Sequence, residues 1–427
     1  MTGDIQLPGK PTGAQGAIGK ESDIRGFVAD GAALGLSSMF TAVVGLVGWL
    51  VAARLLTPAE VGRANAFVSG FLLIAGFAEL GLSQAMLRWL PVAGSHAKGI
   101  VARAYAASVI GSLLIGLPYA FLTGVDLPGI DATLAKGLFV LSAIAWMLFN
   151  LQDYALTGTG AARWVPLENI TFGVVRVVLL VVFATQLGSL GIVLSWTVSS
   201  VIWVSVVTLI LLAVARRSPP RPGVMPTRRD ALTMAGSTYA TTLGQTLLAY
   251  AVPIIVIARY GPVDGAVFSI VWLGLNALDY IAVGFGSALV VRLRGGSMTL
   301  LRNAVTRIVP VYAVALVVAA LLAGLLLQLF GQRYADLGTN LLRLAILGAM
   351  FRVVFVLIAS IHLAQGRSPR MAALHWTSAL VMVGVVSRAP VSHGLAFLGA
   401  GYAVVQVLLL VVAYVDLARV SRTEVPA

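Results

Sequence analysis

Runs of about twenty apolar residues, the length that carries a helix across the hydrocarbon layer of a bilayer, recur along this chain with short polar breaks between them. They fall at 29–53, 66–90, 101–123, 136–158, 167–187, 190–214, 232–258, 265–291, 305–330, 339–363, 370–388 and 394–417. The pattern predicts twelve spans, six in each half of the chain. The narrowest break, Gln186 to Ser189, separates the fifth span from the sixth; fusing the two would destroy the matched six-plus-six count. Pro118 and Pro253 fall inside spans three and seven, where each removes a backbone hydrogen bond and predicts a kink that could bend during transport.

Composition supports a membrane protein. Apolar residues make up 59% and charged residues 11% of the 427 positions, against about 45–50% and about 25% in soluble domains. Positive loops stay in the cytoplasm. With the N-terminus inside, 20 of the 29 Lys and Arg fall on the cytoplasmic side and 7 on the other, while Arg176 and Arg352 lie within spans. The net charge of +13 therefore reads as topology and as contact with anionic membrane lipids. It does not read as nucleic-acid binding, because no basic domain interleaved with exposed aromatics is present.

The two halves repeat one another. Ala53-Arg54-Leu55-Leu56-Thr57-Pro58-Ala59-Glu60-Val61-Gly62, with Phe67, Ser69 and Glu79 after it, returns as Ala258-Arg259-Tyr260-Gly261-Pro262-Val263-Asp264-Gly265, with Phe268, Ser269 and Asp279. The loop at Leu156 to Arg163 returns loosely at Leu363 to Arg370. Six spans is an even number, so both halves enter from the same side as parallel repeats. The expected organisation is a disordered cytoplasmic tail at 1–26, a six-helix bundle at 27–215, a Pro- and Arg-rich linker at 216–230, a second bundle at 231–418 and a cytoplasmic tail at 419–427. The N-terminal 26 residues lack the apolar core of a signal peptide, so both termini are expected in the cytoplasm.

Several chemistries are disfavoured. The chain has no cysteine, hence no thiolate site or cysteine nucleophile. His96, His362, His375 and His393 are scattered over loops and span ends without metal-ligand spacing, and read as interfacial polar residues. Gly16 to Glu21 departs from a phosphate loop where Ala14 and Glu21 stand. No loop has room for an ATPase or transferase domain, so the chain reads as a non-enzyme, driven by an ion gradient or by its substrate's own gradient.

Charges within the spans need a reason, since each costs about 2.5–3.5 kcal/mol even on the lenient insertion scale. Glu79 falls mid-span in two, Asp279 in eight, Arg176 in five and Arg352 in ten, one acid and one base per half. One reading pairs them within each half, Glu79 with Arg176 and Asp279 with Arg352, as structural salt bridges. The other turns the bases toward a central cavity to bind an anionic headgroup and leaves the acids to titrate or to bind a cation. Asp30, Asp153 and Glu168 read as end residues reaching water. Arg88 reads as an interfacial anchor, with admission of phosphate groups as its second role. Arg54 and Arg259, each followed by a proline-containing turn, read as caps on the carbonyls of the preceding helix.

The opening motif, together with Ala78-Glu79-Leu80-Gly81-Leu82-Ser83-Gln84-Ala85 and Arg88, resembles the polysaccharide-transport flippases, the Wzx-type oligosaccharide exporters. These belong to the superfamily that also holds the multidrug-and-toxin extruders and the lipid II flippase. The resemblance implies an all-α polytopic protein of twelve transmembrane helices, arranged as a V-shaped pair of six-helix bundles that rock between inward-open and outward-open states. It also implies a role in lipopolysaccharide or polysaccharide biosynthesis at the cytoplasmic membrane. The substrate would be an oligosaccharide linked through pyrophosphate to a polyprenol, with a glycan polymerase and glycosyltransferases as partners. On this sequence the headgroup ligands would be Arg176 and Arg352, with Arg88 at the entrance. Glu79 and Asp279 would couple to protons or sodium, with no other cofactor. Two alternatives stay open: a cation-coupled drug or metabolite exporter of the same fold, and a membrane-embedded glycan polymerase or ligase, against which the short outer loops count.

Overall fold

The computed structural model describes residues 44–217, 222–223, 236, 239–292 and 297–423. The expected tail at 1–26, Asp30, most of the linker and the last four residues lie outside that set. The described residues form helices and turns: α1 (Val44–Leu55), α2 (Pro58–Ala78), α3 (Leu82–Trp89), α4 (Ala97–Leu122), α5 (Ala132–Gly158), α6 (Val165–Leu187) and α7 (Ser189–Arg217) in the first half. The second half holds α8 (239–246), α9 (Val252–Arg292), α10 (Ser297–Leu321), α11 (Ala323–Gln328), α12 (Gln332–Ala364), α13 (Ser368–Arg388) and α14 (Gly394–Thr423). Among these residues nine helices are long and apolar enough to cross a membrane. One of the nine runs from Tyr239 to Asp279 and is broken at Gly261, so it makes two passes. Two shorter apolar helices, Val44–Leu55 and Val309–Leu321, occupy the first and ninth positions. The twelve-span, two-repeat architecture is thereby realised.

Local chemistry sets where each pass ends. Thr57 caps α2 in a reciprocal box: its hydroxyl accepts from the Glu60 amide at 3.4 Å, and its own amide donates to Glu60 Oε2 at 2.9 Å. Pro58 then fills the first helical position, where no amide hydrogen is needed. At the equivalent place in the second half Gly261 takes φ +85°, a conformation open to glycine, and Pro262 restarts the helix. Gly188, also at positive φ, turns the chain between α6 and α7, so the narrow break at 186–189 is a true reversal.

Two passes depart from the expected regular helix. Span two stops at Ala78 and restarts at Leu82, with Leu80 at φ +55° and Gly81 at φ +70° in between. Leu80 in that region carries steric strain. Glu79 therefore sits at a helix break. In span seven, Leu247–Ala251 forms a π-helical turn just before Pro253, a common way to absorb a disruption inside a helix. Proline displaces the hydrogen bond to the carbonyl four residues earlier, that of Ala249, and the Trp272 indole N–H donates to that carbonyl at 3.1 Å. The kink expected at Pro253 is thus a π-turn whose freed acceptor has been recaptured.

One apolar core runs through both halves, from Trp49 on α1 to Leu417 on α14. The halves meet where α2 packs against α8 and α9. Gly62 lies so close to the α9 turn that a Cβ built there would be 1.9 Å from the Pro262 carbonyl oxygen, and one built on Gly76 would be 2.6 Å from the Thr246 methyl. Small residues permit this approach of backbones. The large exposed apolar side chains, such as Leu114 and Phe121 on α4, Val311 and Val314 on α10 and Val404 and Val411 on α14, face outward as a lipid-contacting surface would. Replacing Gly62 with Ala is expected to cost about 1–3 kcal/mol through overpacking, read as a lower unfolding temperature of the detergent-solubilised protein. Gly137, whose added Cβ would meet nothing within 4 Å, should accept Ala without loss.

Candidate functional site

The Thr57 and Gly261 turns lie at one end of the bundle. There the arginines of the two repeats do equivalent work on unrelated partners. Arg54 donates to the carbonyls of Leu329 at 2.5 Å and Gln328 at 2.9 Å, closing the end of α11 in the opposite half. Arg259 donates to Val386 at 2.7 Å and Ala389 at 2.9 Å, closing the end of α13. Both satisfy carbonyls that a helix terminus leaves free. The expected cap on the preceding helix is therefore corrected: each arginine caps a distant helix, and Arg54 ties the halves together.

Deeper in the second half, Arg352 on α12 and Asp279 on α9 form an ion pair. Both Arg352 Nε and Nη2 lie 2.9 Å from Asp279 Oδ2, and Nη1 donates to Ser378 Oγ at 3.0 Å. The Phe355 ring stands 5.0 Å from the guanidinium. The Arg352 side chain is 5% exposed and that of Asp279 25%, so the carboxylate is the end that reaches open space. His375 of α13 is buried beside the pair, edge-on to Phe355 and 3.4 Å from Gln245 Nε2, rather than interfacial as its sequence position suggested.

The first half has no counterpart to this pair. Arg176 on α6 is buried, donates to the Val44 carbonyl at 3.3 Å and lies 4.3 Å from the Trp196 ring. It presses on α1 so closely that a Cβ on Gly48 would meet Nη2 at 2.7 Å. Among the described residues no carboxylate lies within salt-bridge reach of Arg176, so the expected Glu79–Arg176 pairing is not formed. Arg176 stands on the fifth span of its half and Arg352 on the fourth of its own. The repeat therefore does not bring the two bases to equivalent places. Glu79 is half-buried at the α2–α3 break, near Ser83 and near Tyr239, whose hydroxyl donates to the Phe77 carbonyl across the boundary between halves. Arg88, in the last turn of α3, is exposed.

Other polar groups came into view only with the fold. Glu168 is 4% exposed and so does not reach water as an end residue; the carboxylate of Asp153, partly buried, accepts from Asn169 Nδ2 at 3.1 Å. At the C-terminal end of α12, His362 Nε2 lies 3.2 Å from Asp416 Oδ2, and Arg370 reaches Asp416 Oδ1 at 2.6 Å. This trio joins α12, α13 and α14 at one end of the bundle.

These features define a polytopic all-α protein in which two six-helix repeats meet along a close-packed seam, with charges buried on either side of it. No protein-family model matches the chain, and no curated protein is matched by sequence. Solved structures share the fold. The lipid II flippase MurJ in an inward closed conformation superposes with a TM-score of 0.67 at 13% identity, covering 90% of this chain and 87% of that one. An inward-facing multidrug resistance MATE family transporter of the MOP superfamily gives 0.65 at 17% identity, over 90% and 96% of the two chains. A MOP superfamily transporter from Pyrococcus furiosus, described by the reverse polarity of its binding pocket, gives 0.59 at 17% identity, over 91% and 95%. The chain has the MATE-like fold of these transporters.

Breaking the Asp279–Arg352 pair from one side leaves a charge buried without its partner, which costs about 3–5 kcal/mol. Asp279→Asn should approach that loss in thermal unfolding, whereas the double change with Arg352→Met should restore most of it. Additive losses in the cycle would contradict a direct coupling.

Proposed function

We propose that this protein translocates a polyprenyl-pyrophosphate-linked oligosaccharide across the cytoplasmic membrane by alternating access, in the service of polysaccharide or lipopolysaccharide biosynthesis. The observation that carries the reading is Arg176: a guanidinium deep in the bundle, held by one carbonyl and the rings of Trp196 and Phe172, with its charge left unneutralised among the described residues. Burying such a charge is costly unless a ligand uses it. α1, which covers it, is the helix that Arg54 ties to the opposite half. Rocking of the halves would shift α1 and present Arg176 to a pyrophosphate. Two phosphate groups match a planar cationic fork well. The sequence resemblance of the opening motif and the fold shared with a lipid II flippase support the same substrate class.

In this scheme Arg352 is a second headgroup ligand that the substrate would draw away from Asp279, and Arg88 at the far end of span two admits the phosphates. Glu79 and Asp279 are the groups that would exchange a proton or sodium ion as the halves move. A second reading, a cation-coupled multidrug or metabolite exporter, is favoured by Glu79, a half-buried acid at the boundary between halves close to Tyr239. It predicts efflux of amphipathic cations that is lost in Glu79→Gln and indifferent to Arg176→Ala.

The direct test is deletion of the gene followed by extraction of polyprenol-linked saccharides. Accumulation of an intermediate on the cytoplasmic face, with loss of surface glycan, is the expected outcome. It should be reversed by the intact gene and not by an Arg176→Ala copy that reaches the membrane in equal amount. Full rescue by that copy would remove Arg176 from the headgroup site; absence of any accumulation would refute the flippase reading.

The Arg54 latch makes a separate conformational prediction. The chain has no cysteine of its own, so Val263→Cys, in the turn beside Pro262 at the Arg54 end of the seam, is a unique reporter. Adding Arg54→Ala should raise its labelling by an impermeant maleimide applied from outside several-fold. An unchanged rate would show that Arg54 does not hold that face shut.

A further inference from the structure

A cavity of about 1240 Å³ opens within the first half, at the end of the bundle opposite the Thr57 turn, among α5, α6, α7 and the α3–α4 and α5–α6 connections. Its described lining comes from the first half and, at Pro222, from the linker, so it is separate from the seam where the transport path is placed above. Its walls are mainly apolar, with Leu167 and Leu211 beside the rings of Trp164 and Trp203, and exposed Lys98 at the rim. Glu168 lines it from the first turn of α6.

Glu168 is the informative group. It is 4% exposed, and among the described residues neither carboxylate oxygen has a hydrogen-bond partner. The charge of Asp153 is near enough to act on it, which adds negative potential at this end of α6. The Trp203 indole N–H, which also lines the cavity, is likewise without an acceptor. A buried carboxylate with nothing to receive costs several kcal/mol.

The chemistry of the walls narrows the occupant. Hard metal ions take six or more oxygen ligands, and among the described residues no group of three acids or histidines is placed to hold one. The volume exceeds the about 300–1,000 Å³ typical of small-ligand sites, and most of it would be left to hydrocarbon. An aromatic face beside a carboxylate is the arrangement that recognises ammonium groups. The Trp164 ring already has the Arg163 guanidinium 5.6 Å away, which leaves Trp203 as the ring for the ligand.

We infer that this cavity is a binding site for the ammonium group of an amphiphile, with Glu168 as counter-ion, Trp203 as the aromatic face and the apolar walls taking the start of its chain. The ammonium could belong to a membrane phospholipid with an amine headgroup or to a soluble alkylammonium. The site is independent of the substrate proposed above.

The test uses the full-length protein purified in a neutral maltoside detergent and follows tryptophan fluorescence as dodecyltrimethylammonium is added. Saturable quenching is expected, weakened tenfold or more in Glu168→Gln and reduced in amplitude in Trp203→Phe. A thermal unfolding curve matching the unaltered protein shows that Glu168→Gln is folded; Glu168→Asp serves as the second variant and should keep part of the affinity. Equal affinity in Glu168→Gln, or quenching that never saturates in the unaltered protein, overturns the site and leaves Glu168 a silent protonated acid. Displacement of the bound cation by phosphatidylethanolamine in mixed micelles, and not by phosphatidylglycerol, identifies a lipid as the occupant. Binding without displacement identifies a soluble amphiphile. Failure here would leave saccharide accumulation on gene deletion unaffected, so the two proposals fall separately.

Discussion

A backbone carbonyl or a charged side chain in hydrocarbon has no water to turn to, so each must be satisfied inside the protein. That constraint explains where this chain spends its polar residues. Pro253 frees the Ala249 carbonyl in mid-span, and the Trp272 indole takes it up across the Gly261 turn. The last carbonyls of α11 and α13 are exposed as their helices stop, and arginines from other helices close them. Some hydroxyls on interior faces bond back to their own helix or to a neighbour, as Ser142 does to Thr197 at 2.6 Å. Each satisfied group also fixes one helix against another, so the interactions that make the fold permissible in a membrane are the ones that specify it.

The two halves satisfy their buried charges differently. The second half neutralises its buried base with Asp279 and Ser378. Among the described residues the first half gives Arg176 a carbonyl and two rings, and Glu168 no hydrogen-bond partner. The two repeats therefore differ in electrostatics while keeping their turns. Arg54 and Arg259 each close the end of another helix, one across the halves and one within its own, so these arginines serve the scaffold while the mid-bundle charges differ between the halves.

Much of this was legible in the chain. Span number and the reversal at Gly188 follow from run length, because hydrocarbon thickness fixes how many apolar residues a pass needs. The repeat gave the equivalence of Arg54 with Arg259 and of Glu79 with Asp279. Three things were not legible, each for a physical reason. Glu79 was placed in a continuous helix because Leu80, not a glycine, adopts the first left-handed φ; Gly81 was the available signal. The symmetric pairing of acids and bases failed because Arg176 and Arg352 stand on different passes of their repeats, a discrepancy visible in the span numbering itself. Glu168 and His375 were assigned to the interface from their distance to a span end, yet burial is set by the neighbouring helices, here α5 and α7 around the one and α8, α9 and α12 around the other.

Arg176 and Glu168, which among the described residues have no ion-pair partner, have opposite sign and sit in different surroundings, and this bears on what each can do. Arg176 is wedged against α1, with a space of only about 10 Å³ beside it; it can meet a ligand only if α1 moves. Glu168 faces a cavity already open to one end of the bundle; it can meet a ligand without any rearrangement. A ligand at Glu168 would bridge α5, α6 and α7, whose ends line that cavity, and α6 also carries Arg176. Occupancy at one end of α6 would then stiffen the helix that holds the other charge. By linkage, any conformation that alters the α6 end must change affinity at Glu168 by the same factor that ligand changes its population. The first half would in that case sense an amphiphile at one end and grip an anion in the middle, through a single helix.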